Sequence, residues 1–317
     1  MSLVSALGTA ILPVLSVAAV GFLLGKLRDV DVDALGTITI YVLTPALIFH
    51  SLATSDISGA LAARLILAVA VFTVAMVLLA EVVGRSLGES EPALGALVLS
   101  SSFPNAGNYG IPLSAFAFGA VGRSTAVLFI AGQSVLMYTV GVYLASRGEG
   151  TDLRGAASEV FRLPLVYAVA AAWLARWLGV IPAGDTAAME TLKLVGDASI
   201  PVMLLMLGIQ LANTKHGAAI SRVGVSNALK LVVAPVVGVG VALLLGLGTN
   251  PQVARVFVLE CAMPAAVTPL ILTIEYDSGG EGLTGPEYVS TAIFVSTLAS
   301  VVTLTGLIAL LQAGMIL

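Results

Sequence analysis

The chain has 317 residues, of which 58% are hydrophobic and only 10% charged, with a mean hydropathy of +1.06. A soluble domain carries about a quarter charged residues, so this composition excludes a wetted globular fold and requires lipid as the solvent. A net charge of −4 and a pI near 5.2 exclude a basic face for nucleic acid, and a single cysteine, Cys261, excludes an intrachain disulfide.

A spanning helix needs about 20 mostly apolar residues. By that rule the chain divides into ten segments, near residues 3–27, 34–53, 61–83, 92–118, 124–145, 163–178, 189–211, 223–247, 251–274 and 288–311. The first eight residues carry no Lys or Arg ahead of the apolar run, and no small-residue cleavage signal precedes the first charged loop. They read as the start of the first span and not as a secretory signal. The connections are short and hold most of the charge. The longest joins segments five and six and carries Arg147, Glu149, Asp152, Arg154, Glu159 and Arg162.

Lys and Arg placement sets orientation. With the amino terminus outside, Lys26, Arg28, Arg85, Arg147, Arg154, Arg162, Lys215 and Arg222 fall on the cytoplasmic side. Arg64, Arg123, Arg176, Lys193 and Arg255 fall outside, and this bias places both termini of a multi-pass cell-membrane protein externally.

The two halves resemble each other. Leu12-Pro13-Val14-Leu15 in segment one matches Leu163-Pro164-Leu165-Val166 in segment six. Pro45 matches Pro201, Pro92 matches Pro251, Pro104 matches Pro264, and Ser124-Thr125-Ala126 matches Ser290-Thr291-Ala292. The offset drifts only from 151 (Pro13 to Pro164) to 166 (Ser124 to Ser290). Because five is odd, the second half must enter the membrane from the opposite face, which gives inverted repeats of the kind found in secondary transporters. The expected architecture is an all-α membrane protein of ten transmembrane helices. Residues 1–146 form the first five-helix repeat, 147–162 a cytoplasmic loop, and 163–317 the inverted second repeat.

Segment four reads Ser100-Ser101-Ser102-Phe103-Pro104-Asn105-Ala106-Gly107-Asn108-Tyr109-Gly110-Ile111-Pro112. Two prolines and two glycines at mid-membrane cannot sustain a regular helix. The freed backbone groups must face protein or a watery cavity. Segment nine breaks at the matching place, in Glu260-Cys261-Ala262-Met263-Pro264-Ala265-Ala266-Val267-Thr268-Pro269. Paired breaks point to a transport site, with half-helix amino ends facing an anion and freed carbonyls facing a cation. The alternative is that the prolines only kink structural helices.

The stretch from Pro104 to Pro112 resembles the fourth-helix signature of the auxin efflux carrier family, which includes plant PIN carriers and prokaryotic relatives assigned to malonate and other organic acids. The resemblance covers the whole chain. It implies a fold like that of bile acid–sodium symporters and sodium/proton antiporters, with broken helices four and nine crossing and an organic anion held beside the crossing. Related carriers are often dimers, so the resemblance implies a homodimer. The expected substrate residues are Pro104, Asn105, Gly107, Asn108, Tyr109, Gly110, Pro112, Pro264, Thr268 and Pro269, receiving a small carboxylate.

Glu260 lies at mid-depth, where a carboxylate is costly and is a functional candidate by default. Glu260-Cys261-Ala262-Met263 also resembles a sodium-site stretch of bile acid–sodium symporters, although Pro264 stands where those carriers prefer an amide. Glu260, Ser101, Ser102 and Met263 are therefore the expected ion-coupling set, for Na+ or a proton, with no other cofactor. A structural carboxylate paired with Lys or Arg is the alternative. Lys230 inside segment eight either snorkels to the interface or meets a carboxylate or the substrate. Asp197 with Ser199 either caps a helix end or joins the site, and Gln133 either faces the crossing or glues helices together. Gly21 and Gly25 permit close helix packing. No Gly-x-Ser-x-Gly or His-Glu-x-x-His occurs, and His50 and His216 are the two histidines, so an enzyme is not expected.

Overall fold

The computed structural model of the chain describes residues 3–146, 161–213, 220–276 and 283–317. Most of the central loop (Arg147, Glu149, Asp152, Arg154, Glu159), together with Lys215 and His216, lies outside the described residues. The regular elements are all helical: α1 Val4–Leu27, α2 Val32–Ala53, α3 Gly59–Ser86, α4 Ala93–Ser102, α5 Ala106–Ala145, α6 Pro164–Leu178, α7 Ala187–Asn213, α8 Gly224–Leu244, α9 Pro251–Cys261, α10 Thr268–Glu275 and α11 Gly285–Gln312. Seven of these (α1, α2, α3, α5, α7, α8 and α11) are long and apolar enough to cross a membrane. Their outer faces present large apolar side chains such as Leu78, Val82, Val236, Leu244 and Val302, a surface that lipid solvates and water does not.

Proline explains the local departures from the α-helix among the described residues with one exception, the π-turn Met137–Gly141, which no proline follows. Proline lacks the N–H that would close the turn, and its ring strikes the carbonyl four residues back. Widened π-turns at Leu7–Ile11, Thr39–Leu43, Ala106–Gly110 and Leu229–Val233 each end two residues before a proline: Pro13, Pro45, Pro112 and Pro235. The chain absorbs the clash by opening one turn, and the helix continues. Only at Pro104 and Pro264, of the prolines within apolar segments, does helical structure stop altogether.

At 1.5 Å per residue, an unbroken 40-residue α5 would be about 60 Å long, twice a hydrocarbon core. It is not straight. Gly119 has φ 63° and ψ −140°, a conformation open essentially to glycine alone. A β-carbon on Gly122 would overlap the carbonyl oxygen of Ser114, so the chain folds sharply back on itself at Gly119. The reversal falls in the gap expected between segments four and five.

The helices pack as two groups. α1, α2, α6 and α7 pack on one another, and α3, α4, α5, α8, α9, α10 and α11 form the other group. The second group encloses the aromatic rings of Phe72, Phe129 and Phe257, with centroids 5.7–6.5 Å apart. In the first group, α1 and α7 meet through small residues, since apolar packing in lipid depends on close approach. Gly21 lies on the Leu205 backbone, Gly25 on Ile209 and Ala212, and a β-carbon at Gly208 would overlap the Ala18 carbonyl and come 2.6 Å from the Phe22 nitrogen. The atoms in the way are backbone, so α1 itself would have to move. Gly208→Leu is therefore expected to destabilise the fold by at least the overpacking cost of about 1–3 kcal/mol. Thermal unfolding in detergent checks this, and an unchanged midpoint would show that the α1–α7 contact contributes little.

Candidate functional site

α4 stops at Ser102 and α9 at Cys261, and the two interruptions lie against each other. The Asn105 N–H donates to the Pro264 carbonyl at 2.8 Å, and the Ala266 N–H donates to the Phe103 carbonyl at 3.0 Å. Each proline releases backbone groups that lipid cannot satisfy, and the two segments satisfy one another. Side chains complete the pairing: Gln133 Nε2 donates to the Pro104 carbonyl at 2.9 Å, and the Ala265 N–H donates to Ser296 Oγ at 3.1 Å. Beyond Asn105 the chain resumes as the widened turn Ala106–Gly110, closed by the Gly110 N–H on the Asn105 carbonyl at 2.9 Å. α7, from the other group, packs against that turn, so the interruptions sit at the boundary between the groups.

Asn105 is buried, and its Nδ2 donor has no partner among the described residues. Gly107, Asn108 and Thr268 are half-buried, while Pro104, Pro112, Pro264 and Pro269 are buried in the walls. Tyr109 points into the core, where its hydroxyl accepts from Ser300 Oγ at 3.4 Å. Glu260, fully buried in the last turn of α9, reaches the turn around Gly110: Ser114 Oγ donates to its Oε1 at 2.5 Å, and Oε2 has no partner among the described residues. A β-carbon on Gly110 would overlap that carboxylate, so glycine is what lets Glu260 lie there. Ser101 Oγ turns back to the Leu97 carbonyl at 2.7 Å, Ser102 Oγ is buried without a partner among the described residues, and Met263 is fully buried.

Residues 6–160 and 159–308 match the family described as membrane transport protein. The chain belongs to that family. Among its relatives, an uncharacterized transporter of Methanothermobacter thermautotrophicus is 29% identical over 93% of this chain and 95% of its own length. A Rhizobium meliloti protein carrying the name "Putative malonate transporter" is 24% identical over 96% of this chain and 95% of its own. An uncharacterized transporter of Methanocaldococcus jannaschii is 24% identical over 84% of this chain and 88% of its own. The auxin-carrier signature at residues 104–112 is thus carried by a chain of the family it resembles.

In this membrane transporter the other candidate residues take definite places. Lys230 does not snorkel: it is fully buried, donates to the Cys261 carbonyl at 3.1 Å, and lies over the Phe72 ring, 5.6 Å from its centroid. Arg255 stays away from Glu260 and donates from Nε to the Leu317 carbonyl at 2.7 Å. Asp197 on α7 pairs with Lys193 at 2.7 Å and with Arg123 on α5 at 2.5 Å, and the second of these pairs joins the two helix groups. Sequence reasoning missed Ser114, Ser296 and Phe72. Ser114 lies one turn beyond Gly110, just past the end of the motif. Ser296 and Ser300 are four apart and so share one face of α11, which was the available signal.

Proposed function

We propose that the chain is a secondary transporter of a small organic anion, working by alternating access at the paired interruptions. In this reading the helices make ten spans in two inverted five-helix repeats, 1–146 and 163–317, and the crossing broken spans are α4 with the part of α5 before Gly119, and α9 with α10. Both termini lie outside the cell membrane, and the chain forms a homodimer. The observation that carries the reading is the site itself. Two helices stop deep in an apolar protein, their ends bond to each other, and two buried polar atoms beside them, Asn105 Nδ2 and Glu260 Oε2, have no partner among the described residues. An amide donor and half-helix amino ends recognise a carboxylate, and the name of the Rhizobium meliloti relative adds malonate to the acids worth offering.

Glu260 is the coupling group in this proposal, because a buried carboxylate with one free oxygen invites a proton or a cation. Purified protein in proteoliposomes is expected to take up a carboxylate saturably, and the same acid is expected to raise the melting temperature by mass action. Non-saturating electrical conductance would instead identify a channel-like permease. Glu260→Gln is expected to retain the fold and to abolish dependence of uptake on an ion or pH gradient. A variant as gradient-dependent as the wild type would remove Glu260 from coupling, and gradient-independent uptake by both would identify a uniporter.

A further inference from the structure

A helix that stops inside a membrane protein ends in carbonyls without intrahelical donors, at the negative end of its dipole. In carriers with interrupted helices, such ends bind coupling cations. At the end of α9 that position is filled by the protein. The Lys230 ammonium donates to the Cys261 carbonyl at 3.1 Å, is fully buried, and is faced by the Phe72 ring. Lys230 rides on the widened turn Leu229–Val233 that Pro235 imposes on α8. Two turns on, Gly238 brings α8 onto α9 so closely that a β-carbon there would lie 2.9 Å from Cys261 Cβ.

Neighbouring carbonyls are engaged as well. Those of Glu260, Pro264 and Phe103 accept from the N–H groups of Met263, Asn105 and Ala266, and that of Pro104 from Gln133 Nε2. An oxygen shell for a free sodium ion would have to displace these donors. The Glu260 carboxylate, meanwhile, turns to Ser114 on α5 and leaves the ammonium to the backbone.

We propose that Lys230 is a tethered monovalent cation that fills the cation position at the carbonyl end of α9, so that transport is independent of sodium. Removing the ammonium then opens a site for a free monovalent cation. This rests on the reading of the interrupted pair as an anion-transport site and narrows its coupling ion.

The test uses the full-length protein with sodium, ammonium or choline chloride at fixed ionic strength, reading melting temperature in detergent and carboxylate uptake in proteoliposomes. Wild type and Lys230→Arg are expected to behave alike in all three salts. Lys230→Ala is expected to melt lower and to regain about 2–4 °C, with part of its uptake, in sodium or ammonium but not in choline. Lys230→Gln keeps a donor for the Cys261 carbonyl and so guards the fold. Without the charge, its uptake is expected to fall roughly tenfold.

Wild-type uptake or stability that rises with sodium overturns the proposal, and this reading does not depend on any variant folding. So does a folded Lys230→Ala indifferent to all three cations, or a Lys230→Gln with wild-type uptake. The absence of any saturable carboxylate uptake by the wild type is a different failure, and it removes the transport reading itself.

Discussion

Gly110→Ala is expected to cut carboxylate uptake by roughly 10- to 100-fold. The added β-carbon overlaps the Glu260 carboxylate, which is the end of a flexible side chain and can in principle move aside. Nothing around it makes that movement cheap. Among the described residues, the fully buried Glu260 has no partner for its Oε2 and a single side-chain donor, Ser114 Oγ, for its Oε1. A displaced Glu260 loses that bond, and leaving a buried polar group unpaired costs about 1–3 kcal/mol, or roughly one to two factors of ten. Gly240→Ala on α8, where a β-carbon meets nothing within 4 Å, is the matched control and is expected to transport normally. Uptake by Gly110→Ala at the control's level would show that the position of Glu260 does not matter to transport.

Asn105→Ala is expected to reduce uptake to background while the protein still folds. The pairing of the two interruptions uses the Asn105 backbone, its N–H on Pro264 and its carbonyl under the Gly110 N–H, and alanine keeps both. Its φ of −74° also suits alanine. What disappears is the buried amide with its unpartnered Nδ2, the donor assigned here to the substrate carboxylate. Loss of one such bond weakens binding by roughly 10- to 100-fold. Equal melting temperatures for variant and wild type, with carboxylate stabilisation present only in the wild type, would support the assignment. Wild-type uptake by Asn105→Ala would refute it.

The interruptions were legible in the sequence because proline removes a donor wherever it stands, and Pro104 and Pro264 stand with other helix-breaking residues. That the freed groups must face protein or a watery cavity followed from the absence of any partner in lipid; that two of them bond to each other did not. Proline alone did not distinguish a break from a widened turn, since Pro13, Pro45 and Pro235 lie in helices that continue. The difference is made by neighbouring helices, which the local sequence does not describe. Lys230 was ambiguous for a related reason. Its depth could be counted, but whether the side chain runs to the interface or inward depends on how α8 is rotated, and that is fixed by contacts such as Gly238 on Cys261. Asp197 read as a cap or a site residue because its partner Arg123 lies 74 residues earlier. Ser114 was passed over because a serine four residues after a glycine has no meaning until Glu260, 146 residues later, is placed beside it.

The reversal at Gly119 has a mechanical consequence. Two rigid rods joined by an ordinary loop can tilt separately, because the loop takes up slack. Here the rods meet at a single glycine, with the Gly122 backbone pressed on Ser114, and there is no slack to take up. One rod begins at the widened turn beside Asn105, and the other carries Arg123 against Asp197 of α7 within its first turn. In the proposed mechanism the pair would act as a bell crank, passing displacement at the anion site to a charged contact with the opposing group of helices.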